Sequence, residues 1–268
     1  MTSKIIFTDL DGTLIDFESH SYAAALPALR RIRECSVPLV FCSSKTRAEM
    51  EEWRTSIGNA HPFIVENGAA IFVPAGYFPG PDQGIERGGY GVIELGEPRA
   101  ALMGVLRSAS VLTGTRILTF HDLSAEEVGQ RYGIPRRLAI LAVQREYDEP
   151  FEILDRDRAP DLLAAIEQQG RRWTRSDRFF HITGRNSKAG AVQMLSRLYQ
   201  NHAGPATTYG FGDAMNDAEF LNTVDFPILV RSRHAAELQA VVPRAVLTNL
   251  SGPEGWNAKV LEILEKTD

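Results

Sequence analysis

Cysteine is scarce in this sequence: Cys35 and Cys42 are the only two in 268 residues. Two thiols without metal-type spacing provide neither a disulfide framework nor a zinc site. They read as core or near-core thiols of a reducing compartment. Long apolar runs are also missing. No stretch approaches the roughly 20 residues needed to cross a bilayer. The apolar opening Ile5-Ile6-Phe7 is cut short by Asp9 and Asp11, so no targeting signal is read there. There is no basic excess: 29 Lys and Arg face 34 Asp and Glu, a formal charge of −5. That argues against nucleic acid as the main partner, because phosphate neutralisation needs a basic face. Internal repeats and low-complexity segments are lacking. The expectation is a cytoplasmic protein with neither a nucleic-acid nor a membrane partner; a monomer or weak homodimer is expected, although the sequence does not fix the oligomeric state. What is present is ordinary for a globular chain, 44% hydrophobic and 24% charged, with length for two modest domains or one large one.

Along the chain, Lys4–Thr8 reads as a short strand buried on both faces, followed by a Gly-containing loop and a helical pattern over Tyr22–Glu34. Val37–Cys42 is a second apolar strand, leading into a helix that runs to about Arg54. Phe63–Val65 is a third. Strand–helix–strand–helix–strand predicts a parallel sheet with right-handed crossovers. Pro74–Gly91 is rich in Gly and Pro and reads as a linker. Beyond it come strands at Val92–Leu95, Ala139–Val143, Phe151–Leu154 and Arg178–Ile182, with helices at Arg99–Ser110, Glu126–Tyr132 and Asp161–Gln169. The first rhythm returns with a helix at Ala189–Tyr199, strands at Thr207–Phe211 and Ile228–Val230, and a terminal helix. The expected fold class is α/β, a Rossmann-like doubly wound parallel sheet built from residues 1–81 and 184–268. An α+β cap domain is inserted at 82–183.

Chemistry concentrates at the ends of the apolar strands, where doubly wound sheets bind ligands. Asp9 and Asp11, two apart at the end of the first strand, can face one pocket. Gly12 lets the backbone turn and Thr13 can hold the loop. Such residues are also common in plain turns, so their companions decide. Gly212-Asp213-Ala214-Met215-Asn216-Asp217 places two more carboxylates after another strand, although Asn216 or Asp217 would also suit a helix cap. Like charges about 4 Å apart repel by roughly 1–4 kcal/mol at solvent-like to surface-like dielectrics, so four gathered carboxylates call for a cation. All-oxygen ligands suit Mg²⁺ bridging carboxylates and a phosphate. Ser43 offers a hydroxyl to a phosphate oxygen. Lys188 opens a helix, adding its charge to the favourable dipole there.

In this order, Asp9-Leu10-Asp11-Gly12-Thr13, Ser43, Lys188 and Gly212–Asp217 resemble the four motifs of the haloacid dehalogenase superfamily of phosphatases. More narrowly, several segments resemble the mannosyl-3-phosphoglycerate phosphatases within it. These are Ser43-Ser44-Lys45-Thr46-Arg47-Ala48-Glu49, Pro62–Ala69, Arg145–Glu149, Arg178–His181 and Gly252–Trp256. One departure is Ala189, where relatives more often carry Gly after the Lys. The resemblance implies Asp9 as nucleophile, Asp11 as acid and base, and Ser43 and Lys188 holding the transferring group. It implies Mg²⁺ on Asp9, the Asp11 carbonyl and Asp213, with Asn216 and Asp217 behind them. The substrate implied is a small phosphorylated sugar acid whose product is a compatible solute.

Charge counting adds a further expectation. With Asp11 protonated, Asp9, Asp213 and Asp217 balance Mg²⁺ and Lys188, so the phosphate needs other cations. Lys45 is the nearest candidate cation, with Ser44 beside it as a further substrate-binding candidate, Arg47 facing solvent instead. From the cap, Arg178 and His181 are candidates for the rest of the substrate, while Arg145 is expected to pair with Glu146, Asp148 or Glu149. Competing readings are a phosphatase for glucosyl-3-phosphoglycerate or another sugar phosphate, a phosphomutase, and a non-catalytic sugar-phosphate sensor. The last has no need of both Asp9 and Asp11. The Asp213–Asp217 cluster disfavours a metal-free dehalogenase.

Overall fold

Strand β1 (Ser3–Thr8) shows how the main sheet comes to be buried on both sides. Side chains alternate across a strand, so Ile5 and Phe7 join one core cluster and Ile6 joins the other. In β2 (Leu39–Cys42) and β3 (Phe63–Val65), Leu39, Phe41, Phe63 and Val65 face one way, and Val40, Cys42 and Ile64 the other. Helices Leu26–Glu34, Arg47–Ile57 and Gly252–Glu265 cover the first face; Lys188–Ala203, Ala218–Leu221 and Ala235–Val241 cover the second. A sheet enclosed on both faces needs unbroken apolar strands, which is what these segments supply.

The computed structural model describes residues 3–80, 83–176 and 179–265. The remaining strands in the first half are β4 (Ala70–Pro74), β5 (Ile85–Arg87), β6 (Tyr90–Glu94) and β7 (Ile117–Thr119). Then come β8 (Glu149–Ile153), β9 (Arg172–Arg175), β10 (Phe180–Thr183), β11 (Ala206–Gly212), β12 (Phe226–Arg231) and β13 (Val246–Ser251). The large sheet runs β13-β12-β11-β1-β2-β3-β4-β6-β5. It is parallel from β13 to β3 and antiparallel beyond. A second, antiparallel sheet runs β7-β8-β10-β9. Helices Arg99–Thr113 and Ala159–Gln168 pack on it through Leu102, Leu106, Leu162 and Ile166. The chain passes between the sheets at residues 95–98 and 184–187. Among the described residues no helix is long and apolar enough to cross a membrane.

Three elements depart from the sequence reading. Ala139–Val143, expected as a strand, lies in a helix over Arg136–Ala142. Pro135 sits at its N-cap, and Leu138, Ala139 and Ala142 are buried at helical spacing. A short apolar run does not by itself distinguish strand from buried helix. The Pro- and Gly-rich stretch expected as a linker contains β5. The strand expected at Val92–Leu95 within the insertion is β6, which pairs with β4 of the large sheet from Ala70↔Glu94 to Pro74↔Tyr90. An open edge at β4 would otherwise expose its backbone donors and acceptors. Cys42 is buried as expected, whereas Cys35 is exposed.

Candidate active site

The carboxyl ends of β1, β2 and β11 bring Asp9, Ser43 and Asp213 together, and Lys188 enters from the first turn of its helix. Ser187 caps that helix, its hydroxyl accepting from the Gly190 backbone N–H. Gly12 has φ +75°, and a Cβ there would come within 2.4 Å of Asp213 Oδ2. The glycine is therefore required twice, for its left-handed backbone and for the approach of the carboxylate. Thr13 Oγ1 donates to Asp213 Oδ1 at 2.9 Å, fixing that side chain from the opposite loop. Beneath Asp9, the indole N–H of buried Trp256 donates to Thr8 Oγ1 at 3.0 Å, which gives the Gly252–Trp256 segment a structural task. Ala189 packs against the core cluster that includes Val192 and Leu195, so the methyl that replaces a glycine hydrogen is accommodated there.

Asp9, Asp213 and Asp217 are buried and offer carboxylate oxygens all within 4.8 Å of one another. Burial first, then the charges of Asp217 and Asp9, push the Asp213 carboxyl well above its ordinary value. Asp9 rises to about 7, chiefly through burial, with Lys188 pulling the other way. Lys188 Nζ bridges Asp9 Oδ1 at 2.9 Å and Asp217 Oδ1 at 2.7 Å. Burial alone would lower its pKa, but these two carboxylates more than offset that and keep it charged. Asp217 Oδ2 accepts from the backbone N–H groups of Asp213 and Ala214 at 3.1 and 3.2 Å. Three close carboxylates against one ammonium remain short of positive charge. Asp217 is already held by Lys188 and two amides, so Asp9 and Asp213 are the oxygens left for a cation.

Asp9 and Asp213 line one cleft together with residues from the loop after β2 and from the smaller sheet. Ser43 and Ser44 line it. Lys45 Nζ sits 2.7 Å from Asp11 Oδ2 and 3.4 Å from Glu49 Oε1. Burial opposes its charge, yet Asp11 and Glu49 together raise its pKa. Thr46 caps the next helix through a reciprocal capping box with Glu49, and Thr46 Oγ1 donates to the Leu141 carbonyl at 3.0 Å. Arg47 pairs with Glu51 and Glu146 outside the cleft. Arg145 lines the cleft and pairs with Asp148, one of its three expected partners, while its guanidinium also donates to the Ser44 carbonyl. His181 lines the same wall, its Nδ1 at 3.0 Å from Asp148 Oδ2. Arg178 lies outside the described residues. Asn216 Nδ2 donates to Asn67 Oδ1 at 3.4 Å.

A family model described as haloacid dehalogenase-like hydrolase matches residues 6–77. A glucosyl-3-phosphoglycerate/mannosyl-3-phosphoglycerate phosphatase of Methanococcoides burtonii is 40% identical over 98% of both chains. The chain belongs to the haloacid dehalogenase-like hydrolases. A mannosyl-3-phosphoglycerate phosphatase of Pyrococcus furiosus is 33% identical, over 85% of this chain and 90% of its own. Among solved structures, a sucrose-phosphatase from Synechocystis in complex with sucrose and phosphate shares the fold, with TM-score 0.64, 13% identity and 98% of each chain covered. With phosphatases as full-length relatives, this haloacid dehalogenase-like hydrolase is a phosphoric monoester hydrolase.

The sequence reading assigned no role to Glu66 or Asn67 of this hydrolase and named Asp148 only as one possible partner of Arg145. Glu66 and Asn67 have φ of +44° and +57°, ahead of Gly68 at +85°. A Glu in the left-handed region is strained, and no local sequence signal announces it. The Glu66 carboxylate accepts from the backbone N–H groups of Glu146, Tyr147 and Asp148 at 2.9, 2.7 and 2.9 Å, which ties the loop to the smaller unit. Gly68 is the part that sequence could have flagged. A Cβ there would lie 2.1 Å from the Ser187 carbonyl and 2.6 Å from the Lys188 backbone nitrogen. Gly68→Ala is therefore expected to destabilise the fold by about 2–4 kcal/mol and to displace Lys188. Denaturant melts and phosphate-release rates check this, and a variant equal to wild type in both would refute it.

Proposed function

We propose that the enzyme hydrolyses the phosphate monoester of mannosyl-3-phosphoglycerate, releasing mannosylglycerate and phosphate. The observation that carries this reading is one cleft lined by Asp9 and Ser43 together with Lys45, Arg145 and His181. The first group suits phosphoryl transfer, and the second supplies cations and polar groups for an acidic leaving group. Phe120 and Phe179, stacked edge to face in the same cleft, offer apolar surface to a sugar ring. The full-length relative of Methanococcoides burtonii, a glucosyl-3-phosphoglycerate/mannosyl-3-phosphoglycerate phosphatase, favours glucosyl-3-phosphoglycerate as a second substrate. The unit between the two crossings, at residues 95–98 and 184–187, would select the leaving group.

In this mechanism an Asp9 oxygen attacks phosphorus while the leaving sugar-acid oxygen departs with a proton from Asp11. The resulting aspartyl phosphate splits one difficult displacement into two. Asp11 then takes a proton from water, whose oxygen attacks the phosphoryl group and regenerates Asp9. Asp11 Oδ1 is buried without a hydrogen-bond partner among the described residues, while Oδ2 faces Lys45. Lys45 is shared with Glu49, so its charge keeps a counter-ion when Asp11 is protonated. Ser43 and Lys188 would hold the transferring group. Asp9, Asp213 and the Asp11 carbonyl would hold Mg²⁺, and the close, buried, oxygen-only cluster fits that ion. When bound, the ion neutralises phosphate oxygens and the paired carboxylates.

The test is a phosphate-release screen across mannosyl- and glucosyl-3-phosphoglycerate, sucrose phosphate and simple hexose phosphates. The expected order places the phosphoglycerates first, by at least about ten-fold in kcat/KM. Hexose phosphates turned over equally well would remove the acid from the substrate assignment. A phosphoryl group returned to sugar, with no free phosphate, would indicate a mutase.

A further inference from the structure

Asn67 ties together several elements around the site. Its backbone N–H donates to the Ser43 carbonyl at 3.1 Å, and its own carbonyl accepts from Asn186 Nδ2 at 3.3 Å. Its side chain spans two further elements: Nδ2 donates to Asp148 Oδ2 at 2.9 Å, and Oδ1 accepts from Asn216 Nδ2 at 3.4 Å. The loops after β2, before Lys188 and after β11 thus meet at one buried residue, 4% exposed. Asp148 is the fourth element. It is fully buried and holds Arg145 and His181, both of which line the cleft.

We infer that Asn67 is a positioning residue that sets the leaving-group wall of the cleft in register with the phosphoryl-transfer loops. The inference rests on the reading of the cleft given above. An amide donates to Asp148 from its nitrogen and accepts from Asn216 on its oxygen, two separate atoms; an ionised carboxylate has no donor and an aliphatic group has neither. Buried networks of this kind act as a unit, so loss of one member loosens the rest. Asn also tolerates the left-handed backbone that the loop requires, and that supplies a clean control. Asn67→Gly keeps the backbone conformation and both backbone hydrogen bonds while deleting the side-chain bridge. Asn67→Asp keeps an acceptor for Asn216 but sets a carboxylate against Asp148.

The test compares wild type, Asn67→Gly, Asn67→Asp, Asp148→Asn and the Asn67→Gly/Asp148→Asn double variant. Each is measured for kcat/KM on the phosphorylated sugar acid and on p-nitrophenyl phosphate, whose leaving group has no carboxylate or sugar. For Asn67→Gly, the ratio of the first kcat/KM to the second is expected to fall about ten-fold or more, and further for Asn67→Asp. In the double variant the losses should be markedly non-additive. Amide hydrogen exchange of Asn67→Gly should quicken both at Glu146–Asp148 and at Asp213–Asp217. Asn67→Gly matching wild type in ratio and exchange would overturn the inference. So would parallel losses on both substrates accompanied by a lower melting midpoint, because a purely structural role predicts that pattern. Wild type releasing no phosphate from any substrate would sink the reading of the cleft, while the exchange experiment would still decide the role of Asn67.

Discussion

Replacing Asp9 by Asn is expected to lower phosphate release by about four orders of magnitude or more, the scale on which removing a covalent nucleophile acts. The fold should survive. Asn has the same shape, and its amide oxygen can still accept from Lys188, which lies 2.9 Å from Asp9 Oδ1. The substitution also removes one charge from a buried group of three carboxylates. In the absence of metal, the melting midpoint of Asp9→Asn is therefore expected to equal or exceed that of wild type. Initial-rate phosphate assays and calorimetry at pH 7.5 check the two halves separately. Turnover within about a hundred-fold of wild type would remove Asp9 from the nucleophile role. Lost turnover with a collapsed melting transition would show only that the site had unfolded.

Removing divalent metal is the second large effect. EDTA is expected to reduce phosphate release to background, and millimolar Mg²⁺ to restore it. The same treatment should alter stability with a definite pH dependence. Burial raises Asp9 to about 7 and Asp213 well above the ordinary carboxylate range. Unfolded, both groups titrate near pH 4. Their contribution is fully present below that pH and is lost as pH rises through the raised values, because the folded state then binds more protons than the unfolded one. Mg²⁺ favours the ionised carboxylates, so its stabilisation should grow with pH. At pH 8, saturating Mg²⁺ should raise the melting midpoint by roughly 5–10 °C, given about 2.7 kcal/mol at a hundred-fold excess over Kd and a chain of this size. At pH 5 the rise should be small. An equal shift at both pH values, or none at pH 8, would contradict the assignment of Asp9 and Asp213 to the cation.

The sequence alone carried the two-sided sheet and the strand-end chemistry. Ile5, Ile6 and Phe7 are apolar without alternation, and only a strand enclosed on both faces tolerates that. Asp9, Ser43, Lys188 and Asp213 each follow or precede an element whose end could be read locally. Their convergence then follows from a parallel sheet, whose strand ends all point one way. The smaller unit was less legible. Ala139 to Val143 is apolar enough for a strand, and only its packing through Leu138, Ala139 and Ala142 made it a helix. β6 was assigned to the insertion because the preceding Gly and Pro concealed a hairpin that returns to β4.

Sequence by itself thus determined the fold class and singled out the candidate transfer residues, since periodicity and strand-end motifs are local properties written within a few residues. Tertiary structure alone decided what those residues touch. It put Asp217 beside Asp9 and Asp213 and shared Lys45 between Asp11 and Glu49. It also assigned Arg145 to Asp148 and made Glu66 and Asn67 the tie between the two units. Partner choice among buried charges depends on distance and desolvation, and contacts such as Asn67 with Asp148 join residues far apart in the chain.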